Sequence, residues 1–465
     1  MNLDYNCYHA DFSSKFLSIQ TCLATANLNL DAIFELLLIN ERGSMIATDP
    51  HPREKPKTPW YIALVPLNMA LGSSGILSTL RALTLGASIA EVGVLAAANA
   101  TATIIFSTFW GKLSDSSGAR KKYLMILFFT LSPMFLALSV ANSISEVILF
   151  YSMLAIFTSG ISPIAVMLVV EICKSKNWEG EIARYNSVSS VGNICGLGLN
   201  TIAALFFEVS WLFYISSALC LIALLMLWRF AEEPEITLER YVFPIRSPRY
   251  AEKSLSPKSI LHFLDARQFR IAKIKMFKFK PLQLLFLACF VQWAGIYFFS
   301  VGETPLMKSL GMSNSLILAL NASASFVSIF AFGKIIPSLK QSRAKMIKTA
   351  IFWRSAFIFC WAGISLLLVY PIPYGFLFPF MLSVVWPVNY AMIWLPIVTY
   401  AISSSPANKK STAQGALMVS IAIANALGST LGGLVMSKFG YTIGFISAAI
   451  ITLLSMPIFS RVDIV

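Results

Sequence analysis

Long apolar stretches separated by short polar breaks run along the chain from Trp60 onward. Each stretch is close to the roughly 20 residues that an α-helix needs to cross a bilayer core, and none alternates like a transmembrane β-strand. Lipid admits only helices and closed barrels, so these stretches predict membrane-spanning helices. The predicted helices cover 60–82, 89–111, 122–141, 146–171, 186–207, 211–230, 282–303, 314–336, 346–370, 373–400, 412–437 and 441–460.

A long polar interval divides the predicted helices into two groups of six. The sequence therefore predicts an all-α integral membrane protein with a six-helix bundle at 59–230, a cytoplasmic linker loop at 231–280 and a second six-helix bundle at 281–465. Residues 1–58 are polar and irregular, which predicts a poorly ordered cytoplasmic tail. A further hypothesis is that residues 1–44 are a mis-assigned start, because a basic, proline-rich lead into the first helix follows Met45.

Composition excludes an ordinary soluble globular protein. Hydrophobic residues make up 57% of the 465 residues and charged residues 12%, and the mean hydropathy is +0.72. Both fractions depart from soluble averages in the direction of a membrane protein. The formal net charge of +14 would suggest nucleic-acid binding in a soluble protein. Here the basic residues fall in the polar breaks, so no nucleic-acid partner is predicted.

The lysines and arginines concentrate in alternate breaks, and this asymmetry predicts the orientation of the chain. Cytoplasmic loops accumulate such residues, so we expect both termini to be cytoplasmic in a multi-pass protein of the cell membrane. The loops assigned to the outer side hold only Arg81, Lys308 and Lys438. The interleaved basic segment at 270–280 suits contact with anionic lipid headgroups. We expect a monomer.

The polar break between the second and third predicted helices, GKLSDSSGARKK, carries a spaced pattern and predicts a short loop at the membrane surface. Its marked positions are Gly111, Asp115, Gly118, Arg120 and Lys121. This pattern resembles the signature loop between helices 2 and 3 of the major facilitator superfamily (MFS) of secondary transporters. The resemblance implies an MFS fold, with twelve helices as two six-helix pseudo-repeats, and a gating role for the aspartate.

Two positions of this loop differ from the family pattern. Ser116 stands where the family usually has a basic residue, and Ala119 stands where it often has another. A fainter copy, GKIIPSLKQSRAK, follows the eighth predicted helix and keeps the Gly-Lys start and the basic end, with Pro337 in the place of the aspartate. Such an echo is what two related six-helix halves would produce.

Polar residues inside the predicted helices are the candidates for substrate contact, because they are costly in a bilayer unless used. The resemblance places the substrate cavity along helices 1, 4, 7 and 10, near the midplane. This selects Asn68, Gln292, Trp293 and Asn389. For each asparagine, an interhelical hydrogen bond is an equally good explanation.

No carboxylate falls near the middle of any predicted helix. Proton coupling usually needs an acid or a histidine within the membrane, so the sequence favours a carrier of neutral or amphipathic solutes, or one coupled through an acid at a helix end. Glu303, just before Pro305, is that candidate. Arg354 in helix 9 is expected to snorkel to the inner surface. The three histidines and seven cysteines lack ligand-like spacing, so no metal and no cofactor is predicted.

Predicted helices 5 and 11 are rich in glycine, at spacings that let helices approach closely. Tight packing and a gating role both remain open as explanations. The glycines are Gly192, Gly196, Gly198, Gly428, Gly432 and Gly433. Helix 5 lacks the Gly-Pro pair common in antiporters of the family, and helix 4 lacks the arginine of many proton-driven drug exporters. Both absences count against a standard drug/proton antiporter.

The leading hypothesis is secondary active or facilitative transport of a small solute by alternating access, and no enzymatic activity. Two alternatives are kept. The first is a membrane-embedded enzyme or receptor of the helical-bundle type, although no cluster of acids or histidines marks one surface of the chain. The second, within transporters, is proton-coupled efflux of amphipathic compounds.

Overall fold

The computed structural model describes residues 60–117, 119–172, 178–231, 280–331, 343–368, 377–404 and 410–462, and these ranges contain helices and no strand. In chain order the first helices are α1 (Trp60–Thr84), α2 (Ile89–Ser117), α3 (Arg120–Val140), α4 (Ile144–Ile172), α5 (Trp178–Ala203) and α6 (Val209–Phe230). They are followed by α7 (Lys280–Ser309), α8 (Asn314–Phe330), α9 (Arg343–Ser365) and α10 (Leu377–Ser403). The last helical stretch, Lys410–Phe459, is broken at Gly440, where φ is +84°. This left-handed conformation suits glycine and separates α11 (410–439) from α12 (441–459).

Within the described residues, eight helical stretches are long and apolar enough to cross a membrane, and one of these contains the break at Gly440. The described part of α8 is shorter than such a span. The predicted all-α, multi-pass membrane fold is confirmed. The predicted tail at 1–58, the possible mis-assigned start at 1–44 and most of the linker at 231–280 lie outside the described residues. The domain bounds therefore stay predictions.

Several helices continue beyond the ends that the apolar pattern predicts. Helix α2 runs on to Ser117 and α3 begins at Arg120, so the prediction that Gly111–Lys122 forms a loop was wrong for most of that stretch. Helix α7 likewise continues past Glu303 and through Pro305. The reason is that hydropathy marks where a helix leaves the hydrocarbon, whereas its backbone hydrogen bonds can continue into water.

The helix pairs repeat with an offset of six, as expected for two related halves. In the first half α1 packs on α5 and α6, α2 on α4, and α3 on α4 and α6. In the second half α7 packs on the α11–α12 stretch, α8 on α10, and α9 on α10 and the α11–α12 stretch. Contacts between the halves come mainly from α2 with α11 and α5 with α8. Two similar six-helix units therefore meet along two seams.

Four helices carry large apolar side chains that point away from the rest of the protein. These helices are α3, α6, α9 and α12, and they occupy equivalent places in the two halves. The most exposed of these side chains include Phe129, Trp211, Leu225, Trp228, Trp353, Phe359, Ile450 and Leu454. An exposed apolar surface of this extent is favourable in lipid and unfavourable in water. These helices therefore form the lipid-facing rim.

In the first half, glycines on α5 allow close backbone contact with α1. A Cβ atom on Gly192 would lie 2.7 Å from the carbonyl oxygen of Val65, and one on Gly196 would overlap the backbone of Met69. Gly198, two residues further on, has no atom within 4 Å of its Cβ position. Two of the three α5 glycines are therefore needed for packing on α1.

The second half repeats this arrangement between α11 and α7. A Cβ atom on Gly428 would lie 2.5 Å from the carbonyl oxygen of Ala294, and one on Gly432 would lie 2.5 Å from that of Phe298. Between apolar helices in lipid, close van der Waals packing is a main source of attraction. The glycines are thus part of what holds each half together.

This packing predicts opposite effects for two substitutions in α5. Gly196→Ala should lower the unfolding temperature, because the methyl group has no room against Met69. Gly198→Ala should leave it unchanged or raise it slightly, because alanine is the better helix former by about 0.5–1 kcal/mol. Thermal unfolding of the two purified variants in detergent provides the comparison. Equal effects of the two changes would contradict the packing assignment.

Candidate functional site

The first seam between the halves is a backbone contact of α2 with α11. A Cβ atom on Gly93 would lie 2.6 Å from the carbonyl oxygen of Ser429, and one on Gly433 would lie 2.8 Å from that of Ile89. Gly93 is near the start of α2, and Gly433 is near the end of α11. The backbones of the two halves are therefore in direct contact at one end of these helices.

The second seam joins α5 to α8 at the same end of the molecule. The hydroxyl of Ser315, in the first turn of α8, donates a hydrogen bond of 2.8 Å to the carbonyl oxygen of Thr201, in the last turn of α5. Both seams thus lie toward the end that carries the α1–α2, α5–α6 and α7–α8 connections. The protein is closed at that end.

Away from this contact, α5 and α8 present small polar side chains. On α5, Asn186, Ser187 and Ser190 are exposed, and on α8, Asn321, Ser323, Ser325 and Ser328 are partly exposed. The hydroxyl groups of Ser323 and Ser325 donate to carbonyl oxygens of α8 itself. An exposed polar surface of this kind is costly against lipid and suits a water-filled pathway between the halves.

The motif residues tie three helix ends together. The guanidinium of Arg120, which is buried, donates to the hydroxyl of Ser114 at 2.7 Å and so joins the start of α3 to the end of α2. The ammonium of Lys121 donates to the carbonyl oxygens of Trp228 at 3.2 Å and Ala231 at 2.5 Å. These two carbonyls lie at the end of α6, where helical carbonyls lack partners and a cation is favourable.

The structure shows less about the roles of the glycines and the acid of the motif. A Cβ atom on Gly111 would meet nothing within 4 Å, so close packing does not require this glycine in the observed conformation. Gly118 and the side chain of Asp115 lie outside the described residues. A role for this aspartate therefore rests on the resemblance.

Two of the four predicted cavity residues make hydrogen bonds to backbone carbonyls. The amide of Asn68 donates to Leu64 within α1 at 2.8 Å, and that of Asn389 on α10 donates to Ala350 on α9 at 2.7 Å. The side-chain oxygen of Asn389 is buried and has no hydrogen-bond partner. Asn389 thus links two helices and still holds an unused acceptor.

The other two cavity residues, both on α7, are fully covered. The side-chain oxygen of Gln292 accepts a 2.5 Å hydrogen bond from Ser455 on α12, whereas its amide nitrogen is buried without a partner. Trp293 packs edge to face against Trp394 at a centroid distance of 5.6 Å. Within the described residues, no hydrogen bond or ring contact joins any two of Asn68, Gln292, Trp293 and Asn389.

Glu303, the predicted coupling residue, is partly buried inside α7. Among the described residues it makes no hydrogen bond and no ion pair. Its position differs from the predicted helix end because α7 continues for six more residues to Ser309. A role of Glu303 in coupling stays a prediction.

The prediction that Arg354 snorkels to the membrane surface was wrong. Its side chain is 1% exposed, and its three nitrogens are buried without a hydrogen-bond partner. The guanidinium carbon lies 4.1 Å from the ring centre of Trp386 and 5.6 Å from that of Tyr390, both on α10. Sequence reasoning missed this site, although the aromatic residues recurring every four positions at 386, 390 and 394 are a signal of one aromatic face on α10.

Comparison with known proteins decides the family. A family model described as the Major Facilitator Superfamily matches residues 62–417, well over half of the chain. The chain belongs to the major facilitator superfamily. A search of the curated proteins finds no match.

Solved structures of MFS transporters share the fold. The nucleoside transporter NupG has a TM-score of 0.63 at 12% identity, over 86% of this chain and 98% of NupG. A bacterial homologue of the human lysosomal transporter Spinster, in an inward-facing and occupied conformation, has 0.62 at 16%, over 88% and 98%. The xylose transporter XylE from E. coli, in an inward open conformation, has 0.58 at 16%, over 87% and 95%. Identities this low show the fold and leave the substrate open.

Membership of the superfamily confirms the leading hypothesis of MFS-type transport of a small molecule. The protein is a transporter and not an enzyme, and the comparisons give no support to a membrane-embedded enzyme or receptor, or to proton-coupled efflux.

The contacts of Lys121 predict a stability difference between two neighbouring lysines. Lys121→Gln should lower the free energy of unfolding by about 1 kcal/mol, because two carbonyls at the end of α6 lose their charged donor. Lys122→Gln is the matched control, since Lys122 is exposed and makes no hydrogen bond within the described residues. Chemical denaturation of both variants measures the difference. The assignment fails if both lysines can be replaced at no cost.

Proposed function

We propose that this MFS protein carries a small solute across the cell membrane by alternating access, as a monomer with both termini in the cytoplasm. The observation that carries the proposal is the pair of seams, Gly93–Gly433 and Ser315–Thr201, which close the same end of the molecule. The polar segments rich in lysine and arginine lie at the opposite end, which favours that end as the cytoplasmic one. The closed end is then the outer one, and the conformation faces inward.

Alternating access requires the contacts at the two ends to form in turn. Opening outward would separate α2 from α11 and α5 from α8 at their outer ends. Closing inward would bring the polar surfaces of α5 and α8 together. The inner closure would involve the motif at the α2–α3 junction, with Gly111, Asp115, Gly118, Arg120 and Lys121 as its residues.

The substrate would bind between the halves near the midplane. Asn389 and Gln292 support this proposal, because each has a buried polar atom without a partner, and such an atom is costly unless something else pairs with it. Asn68 and Trp293 belong to the proposed cavity by their place on α1 and α7.

Glu303 is proposed for coupling, because its partly buried carboxylate has no ion pair within the described helices. The basic segment at 270–280 would rest on anionic headgroups.

Access to single cysteines tests the inward-facing conformation. In a variant without the native cysteines, Asn186→Cys should react with a membrane-impermeant maleimide added from the cytoplasmic side, because Asn186 is exposed at the open end. Asn200→Cys is the matched control on the same helix, since Asn200 is buried at the closed end and should react slowly from either side. Fast labelling of Asn200→Cys, or labelling of Asn186→Cys only from outside, would refute the proposed orientation or conformation.

Replacement of the motif acid tests the inner gate. Asp115→Asn should lower the transport rate in proteoliposomes while leaving expression intact, because the uncharged amide stabilises a closed inner end less well. It should also speed the labelling of Asn186→Cys from the cytoplasmic side. Asp115→Glu keeps the charge and should retain more activity than Asp115→Asn. Unchanged transport in Asp115→Asn would remove the aspartate from the mechanism.

A further inference from the structure

The second half of the protein contains a buried positive charge that pairs with no acid among the described residues. Arg354 is the twelfth of the 23 residues of α9, so it lies roughly 16 Å from either helix end at 1.5 Å per residue. Its guanidinium nitrogens are buried and unpaired. Between residues 281 and 462 the sequence holds one acidic residue, Glu303, and this residue makes no ion pair with Arg354.

The aromatic contacts of Arg354 stabilise its charge only in part. Trp386 and Tyr390 lie near the guanidinium, at 4.1 and 5.6 Å from their ring centres, and a cation over a ring face is stabilised by the ring quadrupole. The ring face leaves the five N–H donors at the edge of the guanidinium without acceptors. A planar anion such as a carboxylate matches this edge with two parallel hydrogen bonds.

The rings that cover Arg354 form a thin layer between the charge and the interior of the protein. Trp386 and Tyr390 are partly exposed. At 100° per residue, they lie on the opposite face of α10 from Met381 and Leu395, which are exposed and apolar. Their partly exposed edges therefore point away from lipid. Tyr297 on α7 is near enough to interact electrostatically with Arg354, so the cluster borders the α7 side of the proposed cavity.

Further aromatic rings continue this surface. Phe299 and Phe357 lie 5.3 and 5.5 Å from Trp386, and Trp394 lies 6.2 Å from Tyr390 in a stacked arrangement. Asn389, between Trp386 and Tyr390 on α10, adds a buried acceptor without a partner. A cation beside a set of rings suits a ligand with one negative end and an apolar or aromatic body, whereas the Asn389 oxygen would pair only with a donor group.

We propose that Arg354 is the anion-binding residue of the transport site and that the substrate is an organic anion, with its carboxylate on Arg354 and its apolar part on the rings around Trp386 and Tyr390. This inference rests on the proposed transport function and adds the substrate class to it. The anion enters when the rings of Trp386 and Tyr390 turn aside.

Calorimetry on the purified full-length protein in detergent tests the proposal. The probes are benzoate and benzamide, which share the ring and differ in charge. The wild-type protein should bind benzoate and discriminate against benzamide. Arg354→Gln should weaken benzoate binding about tenfold or more, as expected for loss of a charge-assisted pair. The exposed Arg229 provides the matched control, because Arg229→Gln should bind benzoate like the wild type.

Three results would overturn the proposal: no benzoate binding by the wild-type protein, equal binding by Arg354→Gln, or equal affinity for benzamide. Stabilisation by phosphatidylglycerol greater than that by benzoate, and lost in Arg354→Gln, would assign the charge to a lipid headgroup and would also overturn it.

A second variant separates binding from a structural role. Arg354→Met should raise the unfolding temperature of the ligand-free protein, because it removes a buried charge without a partner, and should abolish the effect of benzoate. A lower unfolding temperature would assign Arg354 to the packing of α9 on α10 and reject the binding role. Labelling of Asn186→Cys in the Arg354→Gln background reports on alternating access separately. Labelling of Asn186→Cys from the cytoplasmic side only, together with no benzoate binding by the wild-type protein, would reject the substrate class and leave the transport mechanism standing.

Discussion

Helices in a bilayer must hold together without a hydrophobic effect between them, because lipid tails are as apolar as the side chains. In this protein the main substitute is close backbone contact at glycine. Gly192 and Gly196 bring α5 onto α1, and Gly428 and Gly432 bring α11 onto α7. The same device acts between the halves at Gly93 and Gly433. Contacts within each half are extensive, whereas the close contacts between the halves among the described residues, at Gly93–Gly433 and Ser315–Thr201, lie at one end.

Hydropathy predicts most of this fold, since each of the predicted apolar stretches coincides with a helix in the part of the chain that the structure describes. The helix ends were less predictable. The polar end of α2 at Gly111–Ser117 stays helical because its hydrogen bonds do not depend on lipid. The spacing of small residues predicted that α5 and α11 each pack closely on another helix. The structure adds that the partner of α5 is α1 and that the partner of α11 within its own half is α7. The Cβ position of Gly198 has no atom within 4 Å. Which glycines face the neighbouring helix depends on the rotation of α5 about its own axis, and spacing alone does not reveal that rotation.

The candidate site was predicted only in outline. The sequence shows that Gln292, Asn389 and Arg354 lie in apolar helices, but it does not show which neighbour faces each of them. Gln292 pairs with Ser455, which is 163 positions away along the chain. Arg354 faces α10 instead of the membrane surface, because α9 packs on α10 and α12 with its polar residue inward. Long-range packing decides such contacts, and a single sequence does not contain that information in readable form.

The central claim is that the two halves alternate between contact at the outer end and contact at the inner end. Double electron–electron resonance (DEER) distance measurements test it most directly. One spin-label pair is placed at Ser190 and Ser325 on α5 and α8, and another at Phe207 and Ser313, just beyond the outer ends of these helices. Alternating access predicts two distances for each pair, with the short inner distance accompanying the long outer one as conditions shift the populations. A single unchanging distance for both pairs, or both pairs widening together, would contradict the account.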